Sequence, residues 1–124
     1  MPDKTAVSEG WIVPDWPVAA RVRAVTTTRQ GGVSRGCYAS MNPADHVADD
    51  PAAVRANREP LQQVLKLSGQ PVWLQQVHGT GVVNAAATGI SPVADAAWCS
   101  QPGVVCAVLT ADCLPVLLAD TAGQ

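Results

Sequence analysis

Asp50-Pro51-Ala52-Ala53-Val54-Arg55-Ala56-Asn57-Arg58-Glu59-Pro60-Leu61-Gln62-Gln63-Val64-Leu65-Lys66-Leu67 decides the fold class of this chain. Asp50 then Pro51 reads as a helix start: a carboxylate at the N-cap, and a proline at the first helical position, where no N–H is needed. Val54, Leu61, Val64, Leu65 and the alanines give an apolar stripe, and Ser68-Gly69 supplies a stop. The pattern predicts a helix from Pro51 toward Leu67. Pro60 removes a backbone hydrogen bond inside it at a cost of about 3 kcal/mol, so a kink or two shorter helices are expected around Glu59-Pro60.

Strand-like stretches flank this helix. Before it, Val22 to Thr28 is rich in β-branched residues. Trp11-Ile12-Val13-Pro14-Asp15-Trp16-Pro17 reads as an extended entry segment that packs its rings on the domain. After the helix, Val72 to Val77, Gly81 to Asn84 and Asp95 to Trp98 read as extended, with Ala85 to Pro92 a small-residue loop. Val104 to Thr110 and Pro115 to Ala119 are apolar runs of the kind buried on both faces of a sheet. Strands on both sides of one long helix argue α+β or mixed α/β architecture.

The length of 124 residues fits one domain. Hydrophobic residues at 48% against 15% charged describe a globular chain with a core. A net charge of −2 with scattered Lys and Arg argues against nucleic-acid binding. No apolar run spans a bilayer, and Met1-Pro2-Asp3-Lys4 does not open a signal peptide, so a cytoplasmic location is expected. On that expectation Cys37, Cys99, Cys106 and Cys113 are reduced thiols.

Several segments carry chemistry. Arg29-Gln30-Gly31-Gly32-Val33-Ser34 is a loop whose glycines allow positive φ and close backbone approach. Such a loop either cradles an anion beside Arg29 or is a plain turn. Ser40 to Asp50 is polar and irregular, and holds Asn42, Asp45, His46, Asp49 and Asp50. His78 and Cys113 each follow an apolar run and precede a residue that bends the chain. Imidazole and thiolate are ligands for zinc or copper. Ligands gathered from separate strand ends suit a catalytic metal site better than a structural one, which uses paired cysteines. Against this stand an ordinary surface histidine and a core cysteine, the role expected of Cys106. Asp112 is placed either for proton transfer or to cap the turn before Pro115.

In order along the chain come Thr27-Thr28-Arg29-Gln30-Gly31-Gly32-Val33-Ser34, Ser40-Met41-Asn42, His46-Val47-Ala48-Asp49-Asp50 and Asn57-Arg58. Trp73-Leu74-Gln75-Gln76-Val77-His78-Gly79, Ala94-Asp95-Ala96 and Leu109 to Leu118 follow. This series resembles the YfiH family, also called the laccase-domain or polyphenol oxidase family, from about Trp11 onward. The resemblance implies an α+β fold of mixed sheets in α/β/β/α layers, here truncated, with residues 1–124 a single incomplete domain. It implies purine nucleoside phosphorylase activity on adenosine, inosine and methylthioadenosine, and adenosine deaminase activity.

The same resemblance makes His78 and Cys113 zinc ligands and implies substrate contacts by Asn42, Arg58 and Arg29. The family's third ligand lies in a His-Ala-Gly-Trp-Arg-Gly motif that this sequence does not contain. His46 is the one other histidine that can substitute for it. Smaller departures are Gln75, where asparagine is common, Ala44 and Ala48, where glycine is common, and Pro60. The expected partners are a purine nucleoside and phosphate, with no nucleic acid and no membrane. With two of three ligands and unpaired strand edges, this stretch alone is expected to be marginally stable and inactive. Three alternatives stay open: a copper-dependent polyphenol oxidase, a non-catalytic nucleoside-binding fragment, and a cysteine hydrolase using Cys113 with His78.

Overall fold

A computed structural model describes residues 10–18, 21–66 and 69–120, without the side chains of residues 64 and 65. The chain divides into two compact units, the boundary falling after Lys66 and the second running to Leu118. Among the described residues its regular elements are one α-helix, one turn of 3-10 helix and a pair of strands, an α+β composition.

In the first unit, helix α1 spans Pro51–Leu65. It starts as the sequence predicts: the Asp50 side chain accepts from the Ala52 N–H, and Pro51 occupies the first turn. Two expectations are corrected. Pro60 lies inside one continuous helix, so of the two outcomes expected there the division into two shorter helices does not occur. The helix ends on Lys66, in the left-handed region at φ 52°, whose N–H reaches back to the Gln62 and Gln63 carbonyls. Lys66 therefore supplies the stop expected of Ser68-Gly69, of which Ser68 lies outside the described residues. The buried face of α1 is Val54, Asn57 and Leu61, at helical spacings of three and four. A fully buried asparagine sits in the middle of that stripe.

Trp11 and Met41 join this core, and the Trp11 indole donates to the Gln30 carbonyl at 3.3 Å. The expected strand over Val22 to Thr28 is reduced to a single antiparallel bridge, Ile12 with Thr26, closed by hydrogen bonds of 2.8 and 2.9 Å. Gly36–Tyr38 forms one turn of 3-10 helix.

In the second unit, β1 (Val82–Asn84) pairs in parallel with β2 (Ala96–Trp98), Val83 opposite Ala97. Both lie within stretches expected to be extended. Val72 to Val77 and Val104 to Thr110 are not continuous strands: they make isolated bridges, Val72 with Cys106 and Gln75 with Val93. The physical reason is visible at Gln76. Its carboxamide donates to the Leu109 carbonyl at 2.9 Å and accepts from the Leu109 N–H at 2.7 Å, so a side chain occupies the place of a strand neighbour. Pro92, beside the Gln75 bridge, has no N–H to extend a ladder. Leu74, Ala85 and Ala94 form the buried apolar set of this unit.

The apolar runs are less buried than expected. Val104, Val105 and Ala107 to Leu109 are half-buried, Cys106 is exposed, and Leu114 and Leu118 are 84% and 89% exposed. Cys106 is thus not a core residue. No helix among the described residues is long and apolar enough to cross a membrane.

Candidate functional site

Asn57 organises the polar centre of the first unit. Its Oδ1 accepts from the Val33 N–H at 2.7 Å, and its Nδ2 donates to Ser34 Oγ at 2.8 Å and to the Asn42 carbonyl at 2.9 Å. One buried side chain therefore ties α1 to the Gly31-Gly32 loop and to the Asn42 segment. The buried Ser34 hydroxyl passes the chain on, donating to Asp49 Oδ2 at 2.5 Å, and Asn42 Nδ2 donates to the same oxygen at 3.0 Å. The Ser34 hydroxyl, then the Asn42 amide, hold the Asp49 carboxyl below its ordinary pKa; slight desolvation opposes them.

The glycine loop behaves as its sequence indicates, Gly31 taking φ 93° and Gly32 the close approach. A Cβ on Gly32 would stand 2.2 Å from the Ser40 carbonyl oxygen and 2.4 Å from Met41 Cα. Gly32→Ala is therefore expected to cost roughly 2–3 kcal/mol, because the obstacle is backbone that cannot rotate away; the urea midpoint measures it. The anion-cradle alternative loses its donors. The N–H groups of Gly32, Val33 and Ser34 are given to Ser40 Oγ, Asn57 Oδ1 and the Ser40 carbonyl. Arg29 is exposed, with its Nε donating to the Ala39 carbonyl at 3.0 Å.

Asn42 and Arg58 belong to this same unit. Asn42 Oδ1 accepts from the Ala44 N–H, so both ends of its amide support the 42–49 segment. Arg58 is half-buried, its Nε donating to the Pro43 carbonyl at 2.7 Å and its NH2 standing 3.7 Å from Asp45 Oδ1. Burial lowers the Arg58 pKa and Asp45 opposes this, but a guanidinium stays cationic at neutral pH. The structure thus brings Asn42 and Arg58 around one segment. His46 is exposed on it.

His78 occupies the second unit at an exposed left-handed turn, φ 56°, a conformation histidine adopts more readily than most residues. Asp95 holds it there. Asp95 Oδ1 accepts from the N–H groups of Val77 at 3.1 Å and His78 at 2.8 Å, and Oδ2 accepts from Gly79 at 2.8 Å. The Gly79 bond is the largest effect lowering the Asp95 pKa; desolvation, next in size, opposes it, and the His78 and Val77 bonds add to the lowering. Cys113 and Asp112 lie exposed at a bend. The donors fit a borderline-soft ion in kind, an accessible imidazole and an accessible thiol. Among the described residues, however, no group of three or more His, Cys, Asp and Glu is disposed to hold a metal.

Asn57, Ser34, Asp49 and Asp95 all lie within the sequence motifs, but the motifs alone indicate no role for them. Asn57 interrupts an apolar helical stripe, the one signal that marks it as a buried polar anchor. Asp95 lies 17 residues from the His78 amide it holds, and no local pattern announces such a bond.

Residues 23–124 match the family described as multi-copper polyphenol oxidoreductase laccase. A purine nucleoside phosphorylase of Pseudomonas aeruginosa is 50% identical over 113 residues, covering 91% of this chain and 46% of the relative. Purine nucleoside phosphorylase YfiH of Escherichia coli is 48% identical over 115 residues, covering 90% and 46%. The crystal structure of a Neisseria meningitidis protein superposes with a TM-score of 0.78 at 49% identity, over 85% of this chain and 43% of that one. YlmD from Geobacillus stearothermophilus gives 0.76 at 31% identity, over 86% and 44%. The chain therefore spans somewhat under half the length of these relatives. With most of its residues matched, it belongs to the laccase-domain, or YfiH, family.

Proposed function

We propose that this chain carries part of the site of a zinc-dependent purine nucleoside phosphorylase acting on adenosine, inosine and methylthioadenosine, with adenosine deaminase activity. The observation that carries the reading is the close identity, over nine-tenths of the chain, to relatives named purine nucleoside phosphorylases. We extend it to a cytoplasmic protein and to a place for residues 1–124 within one layered α/β/β/α domain.

Phosphorolysis needs a phosphate oxygen to attack the ribose carbon bearing the base. The C–N bond then breaks with its electron pair leaving on the purine. Arg58 is suited to the negative charge of phosphate or of the departing base, since its Nε anchor on Pro43 fixes the guanidinium before substrate arrives. Its ion pair with Asp45 is long and open to water on the Asp45 side, 71% exposed, so an incoming phosphate competes with it at small cost. Asn42 would meet a polar edge of the nucleoside, and Arg29 would add charge from the neighbouring loop. Zinc would be held by His78 and Cys113, and when bound it supplies an electrophilic centre that activates an oxygen nucleophile. The turn that Asp95 pins would keep the His78 donor in place.

The family description favours a second reading, a copper-dependent polyphenol oxidase. The chain has two histidines, His46 and His78, and no His-x-His pair of the sort multicopper sites use. One experiment separates the readings: incubate a polypeptide carrying this chain at its relatives' length with adenosine, with and without phosphate. Phosphate-dependent release of adenine and ribose 1-phosphate supports the proposal. Oxygen uptake with phenols and no base release overturns it in favour of the oxidase.

A further inference from the structure

Cys99 and Cys106 stand at the two ends of one tight excursion in the second unit. β2 delivers Cys99 directly after Trp98, whose carbonyl accepts from the Ala85 N–H at 2.8 Å. The chain turns through Ser100-Gln101-Pro102-Gly103, with Gly103 at φ 81°. On its return the Val105 carbonyl accepts from the Val72 N–H at 2.9 Å, and Cys106 bridges Val72. Each cysteine thus adjoins a backbone hydrogen bond to a different segment, which fixes both ends of the turn. The Cys99 thiol donates to the Val104 carbonyl at 3.8 Å, inside the turn. The Cys99 side chain also lies near enough to that of Cys106 to help raise the Cys106 pKa. Both are free thiols, Cys99 half-buried and Cys106 exposed. Neither takes part in the Asn57 centre or the His78 turn.

We propose that Cys99 and Cys106 form a redox-convertible dithiol, a modification site that a low-molecular-weight disulfide oxidises to an intramolecular Cys99–Cys106 bond. The step balances as two exchanges. Cys99 loses its proton, and its sulfur attacks one sulfur of the small disulfide; that S–S bond breaks and one small thiolate leaves. Cys106, deprotonated in turn, attacks Cys99 Sγ and expels the second small thiolate. The two released thiolates take up the two protons. Both cysteine sulfurs are oxidised, and the small disulfide is reduced to two thiols.

Desolvation, and then contact with Cys99, raise the Cys106 pKa. The two exchanges balance equally with the roles of Cys99 and Cys106 reversed. The product would lock the 99–106 turn beside β2.

The test uses the full chain carrying Cys37→Ser and Cys113→Ser, so that only this pair remains. Oxidised glutathione is titrated at micromolar protein, and the intact mass is read. The expected product is monomeric, lighter by two hydrogen atoms, and restored by dithiothreitol. Its formation constant should be at least about tenfold larger in buffer than in concentrated urea, because folding raises the effective concentration of the second thiol. With Cys106→Ser added, the reaction should stop at a single glutathione adduct. A stable glutathione adduct with both cysteines present, a disulfide-linked dimer, no oxidation, or equal constants in buffer and urea would each overturn the proposal.

Discussion

Asn57→Ala is expected to lower the unfolding free energy by about 3–5 kcal/mol, since each buried group left unpaired costs about 1–3 kcal/mol. The change strips a partner from the Val33 N–H, the Ser34 hydroxyl and the Asn42 carbonyl together. Such a loss rivals the whole stability of many domains. Asn57→Leu separates two accounts of the position. If the helix stripe of Val54 and Leu61 needed only apolar volume, leucine would continue it and stability would rise. The hydrogen bonds predict the opposite, a loss as large as alanine's. Asn57→Asp keeps the acceptor for Val33 but turns an acceptor toward the Asn42 carbonyl, and should fare no better. Urea titration followed by tryptophan fluorescence measures all three, with Trp11 in the same unit as reporter.

Asp95→Ala is expected to release the His78 turn. Three N–H groups, at Val77, His78 and Gly79, lose one carboxylate together, and the left-handed His78 backbone loses what offsets its strain. Their amide hydrogen exchange should quicken by about tenfold or more, while α1 amides change little. Asp95→Asn keeps an acceptor for Val77 and His78 but presents an amide donor to the Gly79 N–H, so its effect should centre on Gly79. Acid should reproduce the loss. The folded carboxyl has a lowered pKa, so the unfolded chain holds its proton more tightly. The clamp's contribution is complete above the ordinary aspartate range and fades as pH falls through the lowered folded value. Asp49, lowered chiefly by Ser34, follows the same sign. Protection at 77–79 that survives Asp95→Ala unchanged would show the turn to be held by something else.

Helix α1 was legible because its signals are local. Asp50-Pro51 starts it through contacts within one turn, and the stripe of Val54 and Leu61 follows from helical period. Its end is not legible, because a lysine in the left-handed region closes it and lysine carries no compositional mark for that role. The strands were over-read. Val72 to Val77 and Val104 to Thr110 have strand composition, but ladders need backbone neighbours in register. Gln76 satisfies Leu109 with a side chain instead. The glycine loop was half-legible: Gly31 and Gly32 do what glycines permit, yet the loop's N–H groups are spent on Asn57 and Ser40. Of the candidate site, Arg58 reaches from α1 to the segment that holds Asn42, and His78 stands accessible on a pinned turn. Asn57 and Asp95 hold these residues through bonds distant in sequence, which motif reading does not reach.

The central claim is that His78 and Cys113 serve purine nucleoside phosphorolysis, and kcat/KM for phosphate-dependent adenosine cleavage tests it most directly. The comparison is between the wild-type polypeptide at its relatives' length and its His78→Ala and Cys113→Ser variants. Loss of an outer partner of a metal ligand typically costs about 10–100-fold, so loss of a ligand itself should cost at least about 100-fold in each variant. Undiminished kcat/KM in both variants would contradict the claim.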